Sequence, residues 1–424
     1  MKSIESTSGI PPRPFALAGG LILGGTAILL SGLALGNAEG ALSASLRGIG
    51  VWWEVLFPAL FPFFVLSELL LGFGIVHFAG ALLDPFMRPL FRLPGIGGFI
   101  VSMGFVSGYP VGARLTSRLM EQKLLTRGQG ERLVAMTTTS DPIFLIGAVC
   151  IGFFGSLQPA PIIAVAHYSG ALLIGLASRF GKSSVDIAPD APNVPPSGGA
   201  GRLRFAISAM HKARLDDGRP LGVLLQQALQ SSLALMMIVG GLVVFFSAAL
   251  ELLVNGGIVS ALNGWMSQAL PLLHLSANLS PAFMNGAFEV TLGAKAAALS
   301  EGSPLMDRAA VAAFVLSWAG FSVHAQVAGL MSGTAWRYWP FARARLVHGL
   351  LAMLLVYALW PLLGPTPSDA AILSAWALPF ASDAGHPLLW KMTFAWPLLL
   401  FAGAIALLVA AGTIAIGLRK LRSL

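Results

Sequence analysis

Apolar runs of about 20 residues, enough to carry a helix across roughly 30 Å of hydrocarbon, recur at 15–36, 51–73, 138–155, 159–178, 221–250, 309–331, 345–364 and 392–418. Each reads as a membrane span. The first follows Arg13 but lacks a clear small-residue cleavage pattern, so it reads as a span rather than a leader. Two further apolar stretches are too short to cross. Segment 95–106 has 12 residues and stops at Ser107-Gly108-Tyr109-Pro110. Pro110 lacks an N–H and biases Tyr109 away from helix, while Gly108 permits a reversal. Segment 279–296 has Asn285, Gly286 and Glu289 near its tip. Both predict re-entrant hairpins. Each precedes a helix with a polar interruption, Thr137-Thr-Thr-Ser-Asp-Pro142 in one case and Ser317-Trp-Ala-Gly-Phe-Ser-Val-His-Ala-Gln326 in the other. Unwound backbone at membrane depth is tolerated where protein or a water-filled cavity surrounds it, and its free polar groups can bind a substrate or ion.

Composition fixes the class. Only 10% of the residues are charged, against about 25% in soluble domains, while 56% are hydrophobic and the mean hydropathy is +0.79. A water-soluble enzyme is excluded, and the expected fold is an all-α polytopic membrane protein. The single cysteine, Cys150, excludes a disulfide framework within the chain, and the seven histidines form no HxxxH or HxH pair suited to a metal. No Gly-x-x-x-x-Gly-Lys-Ser/Thr string supports ATP-driven pumping, and no nucleophile triad can be assembled, so no enzymatic activity is expected.

Charge placement sets the orientation. With residue 1 inside and both short segments not crossing, 22 of the 26 basic residues lie on the cytoplasmic side, and only Arg47, Lys295, Arg308 and Lys391 lie opposite. The expectation is eight spans, two hairpins and two cytoplasmic termini in a bacterial inner membrane. Counting either short segment as a crossing would move the basic stretch 179–220 outside. That stretch reads as an ordinary positive-inside linker or as a helix that binds anionic lipid.

The linker separates similar halves. Glu68-Leu-Leu-Leu-Gly-Phe-Gly-Ile-Val76 matches Glu251-Leu-Leu-Val-Asn-Gly-Gly-Ile-Val259 at six of nine positions, and Gly112-Ala113-Arg114 parallels Gly293-Ala294-Lys295. The charge-derived topology gives the halves opposite orientations, the inverted-repeat plan of many secondary transporters. The expected organisation is an N-terminal span and connector (1–50), a first repeat (51–178), the basic linker (179–220), a second, inverted repeat (221–364), then an outer loop and C-terminal span (365–424).

Ionisable groups at membrane depth cost roughly 2.5–3.5 kcal/mol on insertion scales, which makes them functional candidates. Asp141 and Glu289 lie at the interruptions and can hold a coupling proton or sodium ion, although Asp141 before a proline also suits a helix cap. Arg114 and Lys295, equivalent in the repeat, can meet a substrate carboxylate or snorkel to the interface. Glu68 and Glu251 read better as caps or interfacial groups. Ser107, Gly108, Tyr109 and Pro110 at the first tip, Thr139 and Ser140 at the first break, Asn285 at the second tip, and Ser322, His324 and Gln326 at the second break complete the candidate substrate site. Tyr109 can stack on an aromatic substrate or merely fill the tip, and His324 and Gln326 can bind a ligand or be satisfied internally.

Four strings, Ser107-Gly-Tyr-Pro-Val-Gly-Ala113, Ser140-Asp-Pro-Ile-Phe-Leu-Ile-Gly147, Glu289-Val-Thr-Leu-Gly293 and Phe321-Ser-Val-His-Ala-Gln326, resemble the YlbJ-type sporulation integral membrane proteins. That group carries nucleoside-recognition (Gate) domains and is distantly similar to concentrative nucleoside transporters. The resemblance covers about residues 50–365 and implies an elevator-like carrier for dipicolinic acid, placed in the outer forespore membrane of a spore former. It implies Ser-Gly-Pro at the first break, where Asp141 stands in place of the glycine. A carboxylate there repels a dianion unless it is protonated or cation-paired. The expected function is therefore secondary transport of a small organic anion. A proton- or cation-coupled nucleoside symporter is the alternative, and a non-transporting assembly or signalling protein is the rival from another class. The expected partners are a small-molecule substrate, membrane lipid and further copies of the chain, with no nucleic acid and no cofactor beyond a coupling H+ or Na+.

Overall fold

The computed structural model describes residues 14–180 and 199–365, and all regular structure among them is helical. The first half comprises α1 (Pro14–Gly36), α2 (Ala38–Val51), α3 (Phe57–Gly72), α4 (Ile75–Phe91), α5 (Ile96–Ser107), α6 (Tyr109–Glu121), α7 (Arg127–Thr137), a π-helical segment (Ile143–Phe153) and α8 (Ala160–Ser178). The second comprises α9 (Gly199–Asp217), α10 (Leu221–Asn255), α11 (Ile258–Ala269), α12 (Ser280–Phe288), α13 (Val290–Ala298), α14 (Leu305–Trp318), α15 (Gly320–Met331) and α16 (Tyr338–Leu363).

Boundaries recur between the halves. Residues 38–72 hold α2 and α3, and α10 occupies the same interval 183 positions later. Gly74 and Gly257, also 183 apart, both adopt left-handed φ, 75° and 76°. The first-half stretch is interrupted by a π-helical turn at Trp52–Leu56. Pro58 and Pro62 follow it, and each removes a backbone donor that a continuous helix would need.

Among the described residues, four helical stretches are long and apolar enough to cross a membrane (Ala160–Ser178, Leu221–Asn255, Leu305–Met331 and Tyr338–Leu363), or up to six if each of two bent pairs is one span. The difference from eight expected runs has identifiable causes. The run at 15–36 does form one 23-residue apolar helix, α1, which meets the following helix at a 106° bend. The run at 138–155 loses its first residues to an irregular break and keeps only Ile143–Phe153. The run at 392–418 lies outside the described residues. Within the linker, residues 199–217 form α9, which packs on α4.

Lipid offers no hydrophobic drive for helices to associate, so close packing of small residues does that work. In α14, Ala309, Ala310, Ala312 and Ala313 are fully buried among α8, α12, α13 and α16. The start of α7 is set by a capping box between Thr126 and Gln129. Arg337 pairs bidentately with Glu131 at 2.8 and 2.9 Å, fixing the start of α16 against α7.

Candidate functional site

Both short apolar segments fold back on themselves. At the first tip Gly108 adopts φ 81° and ψ −172°, so α5 ends and α6 restarts in a new direction. A Cβ on Gly108 would lie 3.2 Å from the Asp141 backbone nitrogen, so the tip rests on the first break. At the second tip Glu289 alone is extended, with φ −142° and ψ 128°. Of the residues expected near this tip, Glu289 marks the reversal, and Asn285 and Gly286 lie in the last turn of α12 before it. A side chain on Gly293 would collide with the Gly286 backbone, so α12 and α13 touch across the turn.

The breaks are equally local. After α7, residues Thr138 to Asp141 leave the helix, and Asp141 Oδ1 accepts the Phe144 N–H at 2.8 Å as the chain resumes. Glu289 Oε2 likewise accepts the Leu292 N–H at 2.8 Å, and Oε1 accepts from the Thr291 hydroxyl at 3.1 Å. Both acids thus sit at positive helix N-termini. Between α14 and α15, Ala319 and Gly320 adopt φ 74° and 72°. Gly320 lies against the Phe288–Glu289 peptide, so the second tip rests on the second break.

Both tips, the first break and α15 meet around a cavity of about 50 Å³, lined by Tyr109, Pro110, Asp141, Glu289, Thr291 and Gln326 among apolar neighbours from α10, α13, α15 and the first half. Behind the second tip, the last four carbonyls of α14 all find donors. The Val315 carbonyl accepts the Ala319 N–H at 2.8 Å, and the Leu316 carbonyl accepts the Tyr109 hydroxyl at 2.8 Å. Ser317 O accepts from Arg345 at 3.4 Å, and Trp318 O pairs with His324 Nε2 at 3.1 Å. Such ends are orphaned by helix geometry and must be satisfied in a buried setting.

The nucleoside-recognition (Gate) family model matches residues 53–157, the stretch that holds the first hairpin and first break. Over 342 residues the chain is 41% identical to the sporulation integral membrane protein YlbJ of Bacillus subtilis (strain 168), covering 80% of this chain and 82% of that one. The chain belongs to the YlbJ family. An uncharacterized protein of Alkalihalophilus pseudofirmus is 34% identical over 104 residues, 24% of this chain and 22% of its own. No solved structure matches.

In this YlbJ-family chain the remaining candidates fall at different depths. Ser107, Thr139, Ser140 and Ser322 are fully buried at the tips and breaks, outside the cavity lining, and Asn285 is half-buried on α12. His324 lies away from the cavity, with Nδ1 on the Tyr338 hydroxyl at 2.9 Å and its ring 4.3 Å from that of Trp318. Arg114 contacts Glu68 at 3.4 Å and Ser231 at 2.8 Å, and Lys295 is exposed, so neither basic candidate reaches the cavity. Glu251 pairs with Arg47 at 2.7 Å.

Arg345 was missed. It reads as an interfacial cation in the charge count, yet it is fully buried and donates to the carbonyls of Ala135, Thr138 and Ser317. Its only sequence signal is its position at the edge of an apolar run. His167, mid-span, accepts the Ser140 N–H at 2.9 Å and bonds the Ser317 hydroxyl at 2.8 Å, linking the two breaks.

Two predictions follow from these placements. Tyr109→Phe leaves the Leu316 carbonyl without its donor, at a cost of about 1–3 kcal/mol. Thermal unfolding in detergent should show the loss, and an unchanged midpoint would mean that the hydroxyl is no cap. Arg114→Ala removes a long, partly exposed ion pair worth at most about 1 kcal/mol. Substrate concentration at half-maximal flux should not move, and a marked rise would return Arg114 to the binding site.

Proposed function

We propose that this protein is a secondary carrier that exposes a midplane site alternately to the two sides of the membrane. The convergence of two hairpin tips, the first helix break and α15 on one cavity lined by Asp141, Glu289 and Gln326 carries this reading. The relative's sporulation name and the Gate match support a membrane transporter-like role, and the inverted orientation of the halves belongs to the same proposal. A cavity of about 50 Å³ holds only a few waters, so substrate entry requires the hairpins to move against the scaffold.

The proposed substrate is a small organic anion, dipicolinate, carried into the developing spore across its outer membrane. Two carboxylates at the cavity repel a dianion, so protons must enter with it, and flux should rise as pH falls. A nucleoside is the second reading. It is favoured by a lining that offers two carboxylates and an amide to ribose hydroxyls and base N–H groups, with no basic side chain among the described lining residues.

Counterflow in proteoliposomes with labelled dipicolinate and with uridine, under proton and alkali-cation gradients, separates these. Exchange of dipicolinate supports the first, and exchange of uridine the second. Exchange of neither by folded protein would replace the carrier reading with that of an assembly or signalling scaffold.

A further inference from the structure

Two helices end inside the protein at the breaks. Each C-terminus presents carbonyls that have no partner within their own helix and roughly half a negative charge from its dipole. The two ends belong to different halves of the chain, α7 and α14, yet they converge on the Arg345 guanidinium. Nη2 donates to Ala135 O, and Nη1 donates to Thr138 O and to Ser317 O. In carriers with broken helices, unwound carbonyls and half-helix C-termini of this kind coordinate a coupling cation.

The hydrogen-bond partners described for the guanidinium are main-chain carbonyls, with no carboxylate among them. His167 Nε2 accepts a backbone N–H from Ser140 and so carries no proton, which leaves Nδ1 as the protonated nitrogen facing Ser317. His348 stacks on His167 with ring centroids 5.2 Å apart, and its Nε2 donates to His167 O at 2.8 Å. The two histidines are 181 positions apart, the spacing that also separates Gly108 from Glu289 and Thr138 from Ala319. The guanidinium therefore stands where the halves meet, fully buried and held by main-chain oxygen from both.

We propose that Arg345 is a tethered cation filling a carbonyl site shared by the two helix breaks, so that the protein neither binds nor needs an alkali cation there. The consequence for transport rests on the carrier reading above. An ion fixed to α16 cannot travel with substrate, so a sodium or potassium gradient has no purchase at this site, and proton entry at Asp141 and Glu289 remains as the coupling route.

The test uses full-length protein in detergent, with unfolding followed by a thiol-reactive dye at Cys150, the buried sole cysteine. At equal ionic strength the native protein should melt at one temperature in sodium, potassium and choline chloride. Arg345→Ala should melt several degrees lower and recover with low-millimolar guanidinium, or with sodium, but not with choline. If Arg345→Ala yields no folded protein, the yield of monodisperse protein purified with and without guanidinium becomes the readout, and guanidinium should restore it. A variant that melts like the native protein, or that shows no cation-specific recovery in melting or yield, overturns the assignment. So does a native protein stabilised by sodium over choline. In proteoliposomes, flux that survives replacement of sodium and potassium by choline supports the proposal, and flux that requires either overturns it. Absence of any flux counts against the carrier reading alone, because melting and yield judge the cation site without transport.

Discussion

Replacing Glu289 by Gln is expected to lower carrier flux at least about tenfold, equivalent to about 1.4 kcal/mol, or to strip it of its pH dependence while the fold survives. The amide oxygen can still accept the Leu292 N–H, and the amide nitrogen in place of the other oxygen can donate to the Thr291 hydroxyl, so the local hydrogen bonds survive with one of them reversed. What disappears is a titratable charge at the second tip, together with a charge–dipole term of about 0.3–1 kcal/mol. The thermal midpoint should therefore fall only slightly. Native flux with native pH dependence in this variant would remove Glu289 from the mechanism. A collapse of the midpoint would make it a structural cap and nothing more.

The second large effect is expected at Gly320. Its φ of 72° disfavours any side chain, and a Cβ there would lie 2.9 Å from the Phe288 carbonyl oxygen and 3.0 Å from the Glu289 nitrogen. Both are backbone atoms, so the second tip must lift off the second break to make room. Gly320→Val should lose transport and cost about 3 kcal/mol or more, combining left-handed strain of about 1–2 kcal/mol with the collision. The neighbour is the control. Ala319 is also left-handed, at φ 74°, without being a glycine. Ala319→Gly relieves that strain, less the extra chain entropy of glycine when unfolded, and should stabilise by about 0.5–1 kcal/mol. Opposite shifts at adjacent positions would be read as midpoints of thermal unfolding. If Gly320→Val matches the native protein in both midpoint and flux, the tip does not sit on the break.

Much of this arrangement was legible along the chain because interruptions are local chemistry. Gly108 supplies the reversal, although Tyr109, expected to be biased away from helix by Pro110, is the first residue of α6, and Asp141-Pro142 suits a helix restart. The second half was less legible. Asn285, Gly286 and Glu289 together mark the neighbourhood of the tip, but only the structure shows that the reversal falls at Glu289 and that Gly286 serves as the contact surface against Gly293 and Val315. The second break falls at Ala319-Gly320, near the start of the string that marked it. Tyr109 and His324 were ambiguous between ligand and filler. Both turn out to bond carbonyls at the end of α14, partners with no trace in their own neighbourhoods.

By itself, then, the sequence determined the membrane class, the all-helical chemistry and the places where helices must stop, since each depends on hydropathy or on backbone donors within a few residues. Tertiary structure alone decided which polar groups face one another. Arg345 and Lys295 are both cations beside apolar runs, yet one is buried among carbonyls from both halves and the other faces outward. Depth along a helix is a one-dimensional property that residue order records. The face a side chain presents, and the carbonyl it meets some 200 positions away, exist only once the helices have packed.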